Sequence, residues 1–200
     1  MTVVTIKQSA VKTVEIYLST DIEADGPIPG PHSMLSLASV ALSSDGTVLG
    51  EFSANLESLD DATMHPRVAA WWQTEPAAWR ACRENLRAPA LVMADYLRWI
   101  QSLKGRPVFV AMPAGFDFLF VYWYFIRFLG ESPFGHSALD MKSFAMALLG
   151  SEFRKAGKSA FPKAWQTSLP HTHIALDDAR EQGESFIAML QASRARPKFS

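Results

Sequence analysis

At 200 residues, with 48% hydrophobic and 20% charged residues, the chain has the composition of an ordinary folded protein and length enough for one domain with a substantial core. This excludes a largely disordered chain. The formal net charge of −1 excludes long-range attraction to nucleic acid through bulk charge, so such a partner must be held locally, by metal ions and a few placed cations.

Residues 1–12 lack the apolar stretch of a secretory signal. Residues 14–21, rich in β-branched and aromatic side chains, predict a strand. Gly26-Pro27-Ile28-Pro29-Gly30-Pro31 is then a loop, since three prolines exclude regular pairing. A second strand is predicted over 35–42, and Asp45-Gly46 signals a hairpin into a third over 47–56. These three form an antiparallel meander. Helices follow over 66–72, 76–85 and 89–103, each with proline near its first turn. Cys82, the only cysteine, can form no disulfide within one chain, which suits a reducing compartment.

Residues 107–112 predict a short buried strand. The segment 116–129 is apolar on nearly every face and predicts a helix buried in the core. Its longest apolar run, 118–126, is far too short to span a membrane. A strand over 137–140 precedes a helix over 141–149. Residues 151–169 read as a loop, and an amphipathic helix over 177–192 closes the chain. With no internal repeat or linker, one domain is expected over 1–200, its core at about 14–190. Three strands followed by alternating helix and strand indicate an α/β domain with a mixed sheet. The expectation is a soluble cytoplasmic protein without membrane association.

Three elements carry chemistry. Asp21 and Glu23 stand at i and i+2 of a strand, so both carboxylates project from one face. There they repel and raise each other's pKa unless a cation compensates. A hard divalent cation with oxygen ligands would do so; a solvated strand end is the plainer reading of the same triplet. Asp117 lies between Phe116 and Phe118, in the first turn of the most apolar helix. The helix macrodipole alone would favour a carboxylate there, but it does not explain a charge in that apolar stretch. The third element is His171-Thr172-His173-Ile174-Ala175-Leu176-Asp177-Asp178. His173 and Asp178 converge only if the histidine sits in the loop before the helix, because five residues of α-helix turn through about 500°. Solvated loop histidines and helix-start aspartates are the plain alternative.

Together these motifs resemble the DEDDh exonucleases of the ribonuclease-H-like superfamily, over roughly residues 14–189. The family's Asp-x-Glu matches Asp21-Ile22-Glu23, its Asp after Phe at a helix start matches Asp117, and its His-x4-Asp matches His173 and Asp178. His171 would need an acid at position 176, which is Leu, and Asp177 is expected to face outward. One departure is that Met112-Pro113-Ala114 stand where many members carry Asn, which puts one substrate contact in doubt.

The resemblance implies a ribonuclease-H-like fold, with a central mixed five-stranded sheet flanked by helices. It implies two divalent cations, Mg²⁺ or Mn²⁺, held by Asp21, Glu23, Asp117 and Asp178, with His173 as general base. Nucleoside 5′-monophosphates would leave the 3′ end of a single-stranded nucleic acid. Trp71-Trp72 resembles a segment of a bacterial and phage subgroup, which favours RNA over DNA as substrate. A DNA exonuclease and an inactive nucleic-acid-binding module are the alternatives.

Ala24, Met34, Leu35, Trp72 and Lys158 are the substrate-binding candidates. Met34 and Leu35 follow the loop after Glu23, where the family places an apolar wedge against the terminal base; core packing of Leu35 is the competing role. The tryptophans offer either a stacking platform or anchors for a helix against the sheet or a second subunit. Lys158, with Arg154, Lys155 and Lys163, sits in the loop before the third motif, within reach of phosphates or simply solvated. Six tryptophans and the apolar helices are compatible with a homodimer.

Overall fold

The computed structural model describes residues 14–196, so the segment 1–12 read for a secretory signal lies outside the described residues. Five strands, β1 (Glu15–Ala24), β2 (Met34–Leu42), β3 (Val48–Asn55), β4 (Arg106–Ala111) and β5 (Leu139–Asp140), form one sheet in the order β3-β2-β1-β4-β5. The first three pair antiparallel, as the hairpin signal required; β4 and β5 join in parallel. Gly46 makes the β2–β3 turn at φ +93°, a conformation open to residues without a Cβ.

Among the described residues six α-helices cover the sheet: α1 (Pro66–Trp72), α2 (Pro76–Cys82), α3 (Pro89–Ser102), α4 (Ala114–Leu129), α5 (Met141–Leu149) and α6 (Ala175–Arg194). Proline opens each of the first three, where its missing N–H would have no helical partner. Strand alternation divides β1 between two cores. Ile16, Leu18, Ile22 and Ala24 join residues of α3 and α4 on one side, and Tyr17 joins α5 and α6 on the other.

Several expectations shift. β1 runs three residues beyond its expected end, so Asp21 and Glu23 lie within the paired strand, opposite Ala38 and Ser36. α2 ends at Cys82, and the loop before α6 contains three short 3₁₀ turns. α4 is not enclosed as its composition suggested. Phe120, Val121, Tyr124 and Phe125 are buried, but Leu119 and Ile126 are each 42% exposed. One face of α4 packs on the sheet and the other meets solvent, and nothing in the uniform apolar pattern told the two apart. No helix among the described residues is long and apolar enough to cross a membrane.

α6 approaches β1 unusually closely. A Cβ on Gly183 would stand 2.9 Å from Leu42 Cδ1 and 3.3 Å from Ser19 Cβ. Polar bonds fasten the contact: Ser19 Oγ donates to the Ala179 carbonyl at 2.8 Å, and Gln182 Nε2 donates to Ser19 Oγ at 3.0 Å and to the Thr20 carbonyl at 3.1 Å. These bonds hold the first turns of α6 against the middle of β1.

Candidate active site

Asp21 and Glu23 point toward α6, sharing strand parity with Ser19, which bonds to that helix. Asp178 comes down from the first turn of α6. One oxygen of Asp178 accepts the Thr172 N–H at 2.9 Å and the other accepts the His173 N–H at 3.0 Å. One oxygen from each of Asp21, Glu23 and Asp178 lies within 4.8 Å of the others. Asp117 arrives from α4, buried, its Oδ1 accepting the Ile22 N–H at 3.2 Å. The start of α4 is itself fixed by Asp140, whose Oδ2 accepts the Ala114 N–H at 3.0 Å.

Burial of so many acids has an electrostatic cost. Loss of solvent, then repulsion from Asp117, Glu23 and Asp178, holds the Asp21 carboxyl well above the ordinary carboxylate range. Burial, with Asp178 and Asp117, pushes Glu23 up to about 8. Burial likewise raises Asp117 to about 7, against the opposing Ile22 N–H. Lys158 is the cation that opposes the rise at Asp21, and it is the weakest contributor. The donors are all oxygens and carry surplus negative charge, a set suited to hard divalent cations.

His173 occupies the loop before α6 in the left-handed region, φ +57°, the placement that the five-residue interval demanded. Its ring meets Trp71 edge-on, centroids 5.0 Å apart, and His171 at 4.5 Å. His171 was set aside on spacing, yet its Nδ1 stands 3.1 Å from Asp178 Oδ2. Asp177 faces outward, pairing with Arg180 at 3.2 Å. Asp21, Glu23 and Asp178 thus meet around one point, His173 joins them through Asp178, and Asp117 stands near enough to raise Asp21 and Glu23.

Beside Glu23 opens a cavity of about 450 Å³, within the size range of small-ligand sites. Ile22, Ala24, Val68, Trp71 and Phe116 give it an apolar lining, and His65 and Arg67 contribute polar groups. Ala24 borders this space. Three other candidates do not. Met34 and Leu35 are 0% and 1% exposed, sealed into the cores on either side of β2, so neither can act as a wedge. Trp72 is 4% exposed and donates its Nε1–H to the Ala24 carbonyl at 3.3 Å, anchoring the strand end that carries Glu23. Its neighbour Trp71, 36% exposed, borders the cavity instead. A seven-residue helix is too short for its phase to be read from sequence, so nothing there separated the two. Lys158 is ion-paired with the largely buried Glu181.

No protein-family model matches the sequence. The chain is 31% identical over 182 residues to the 3′–5′ DNA exonuclease Cap18 of Escherichia coli, covering 86% of this chain and 90% of the relative. The chain belongs to the DEDDh-type 3′→5′ exonucleases of the ribonuclease-H-like superfamily. Solved exonuclease structures share the fold at low identity. The nuclease domain of 3′hExo, a DEDDh family member bound to rAMP, matches with a TM-score of 0.65 and 10% identity, over 91% of this chain and 94% of that one. E. coli exonuclease I in complex with a dA16 oligonucleotide matches with a TM-score of 0.60 and 17% identity, over 92% of this chain and 41% of that one.

Proposed function

We propose that the chain shortens single-stranded DNA from its 3′ end, releasing nucleoside 5′-monophosphates, with Asp21, Glu23, Asp117 and Asp178 holding two divalent cations, Mg²⁺ or Mn²⁺. The observation that carries this reading is the approach of Asp21, Glu23 and Asp178 oxygens to within 4.8 Å, with buried Asp117 alongside. When bound, such ions acidify a coordinated water and offset charge on the departing 3′ oxygen.

The protein's own groups do the rest. His173 takes the proton of the attacking water as general base, from a loop held in place by the two N–H bonds to Asp178. The cavity beside Glu23 receives the terminal nucleoside, and the partly exposed Trp71 ring offers a surface for base stacking. Lys158, oriented by Glu181, balances phosphate charge.

DNA is supported by the likeness to a 3′–5′ DNA exonuclease of E. coli. RNA is the second reading, supported by the Trp71-Trp72 resemblance and by the rAMP bound in 3′hExo. Discrimination depends on contacts to the 2′-hydroxyl. The test uses 5′-labelled single-stranded DNA and RNA of one sequence, with Mg²⁺, Mn²⁺ or chelator. A ladder receding from the 3′ end, faster on DNA and absent with chelator, is expected. Faster loss of RNA would reverse the substrate assignment, and no degradation under any metal condition would end the enzyme reading.

A further inference from the structure

The histidine that the spacing set aside has its own geometry. His171 Nδ1 stands 3.1 Å from Asp178 Oδ2, and its ring lies 4.5 Å from that of His173, tilted by 74°. One ligand atom from each of His171, His173 and Asp178 lies within 4.8 Å of the other two. These donors differ in kind from the oxygen-only set of Asp21, Glu23 and Asp178, although both sets use the Asp178 carboxylate.

We propose that His171, His173 and Asp178 form a second metal site, for a transition-metal ion of the zinc class, and that filling it switches the nuclease off. Two imidazoles and one carboxylate make a donor set that zinc uses, leaving a fourth position for water. Imidazole suits zinc, copper and nickel, whereas Mg²⁺ requires oxygen ligands in octahedral geometry. The chemistry therefore sorts ions between the two sets. Bonds of about 2.0–2.1 Å to a tetrahedral ion put ligand atoms about 3.3 Å apart. The His171–Asp178 separation of 3.1 Å is close to that value, and the His173 ring, within 4.8 Å, closes the remaining distance by side-chain rotation. The His171 side chain is 50% exposed, so an ion can enter from solvent. Once bound there, it occupies a lone pair of His173 and an oxygen of Asp178. The inhibition, though not the binding, rests on the catalytic roles assigned to those two residues above.

The test uses the full chain, with Co²⁺ as a spectroscopic probe and Zn²⁺ as the inhibitor. Wild-type protein is expected to give visible cobalt bands of low-coordinate, nitrogen-ligated metal at one equivalent. Zn²⁺ displaces them and excess Mg²⁺ does not; His171→Gln and His173→Gln lack them. With Mg²⁺ saturating, Zn²⁺ inhibits wild-type cleavage. His171→Gln needs about tenfold or more Zn²⁺ for half-inhibition, each protein compared with its own zinc-free rate. Cobalt bands unchanged in His171→Gln overturn the site. Inhibition equally strong in that variant overturns it too, since zinc would then act at the oxygen-only set. Histidine-dependent bands without inhibition leave the site standing, but overturn the switch and the roles given to His173 and Asp178.

Discussion

Trp71 stands edge-on to His173, ring centroids 5.0 Å apart and planes at 88°. The same tryptophan borders the cavity beside Glu23, so one side chain touches both the nucleoside space and the proposed base. An edge-to-face aromatic pair contributes about 0.5–1.5 kcal/mol. Trp71→Ala is expected to lower kcat roughly 2- to 10-fold with little change in melting temperature, and Trp71→Phe to recover most of it. Trp72→Ala should do the reverse, costing about 3–5 kcal/mol of stability through the cavity it leaves. Single-turnover kinetics and thermal melts on the three variants separate the two roles; unchanged kcat in Trp71→Ala removes the link to His173.

His173→Ala should reduce kcat by about 10²–10⁴-fold, the usual contribution of a general base. None of the four carboxylates changes, and the backbone N–H that Asp178 accepts is retained. The melting-temperature rise on adding Mn²⁺ should therefore survive in this variant and vanish in Asp178→Asn. Near-normal turnover in His173→Ala would assign the base elsewhere, with His171 the nearest imidazole.

Without metal, stability should fall as pH rises. Asp117 titrates at about 7 in the folded protein against an ordinary 3.8, and Glu23 at about 8 against 4.5. Between each pair of values the folded state binds more protons than the unfolded chain, so raising the pH works against folding. For these two groups the loss begins near the lower values and ends near 8, and Asp21, also raised, adds to it with the same sign. Divalent cations need the ionised carboxylates, so the stabilisation they bring should be larger at pH 8 than at pH 5. Melts in chelator and in Mn²⁺ across this range test both signs. A chelated protein that gains stability toward pH 8 contradicts the account.

Gly183→Val should damage activity from a distance. Even a Cβ at this position would press on Leu42 and Ser19, and overpacking of this kind costs about 1–3 kcal/mol. Any shift of α6 away from β1 also carries Asp178 away from Asp21 and Glu23. A variant that folds but binds Mn²⁺ weakly and cleaves slowly is the expected result. Wild-type metal affinity in the folded variant would show that α6 tolerates the displacement.

How much of this was legible beforehand follows from the range of each interaction. Asp21 and Glu23 share a face because a strand repeats every two residues, and His173 meets Asp178 through a five-residue link. Both relationships are local, so spacing alone expressed them, as proline and Asp45-Gly46 expressed the first helix starts and the hairpin. Core packing was already the competing role for Leu35, but burial of Met34 and Leu35 is decided only by α1, α2 and α4 packing against β2. The partition of Trp71 from Trp72, the exposed face of α4 and the turn of His171 toward Asp178 are of the same kind.

The sequence by itself determined the proposed donor set: four carboxylates and a histidine, in an order and parity that local geometry can satisfy. Only the tertiary structure decided which surfaces surround them. Ser19 and Gln182, 163 positions apart, close α6 onto β1, and contacts at that range depend on the path of the whole chain, not on any local periodicity.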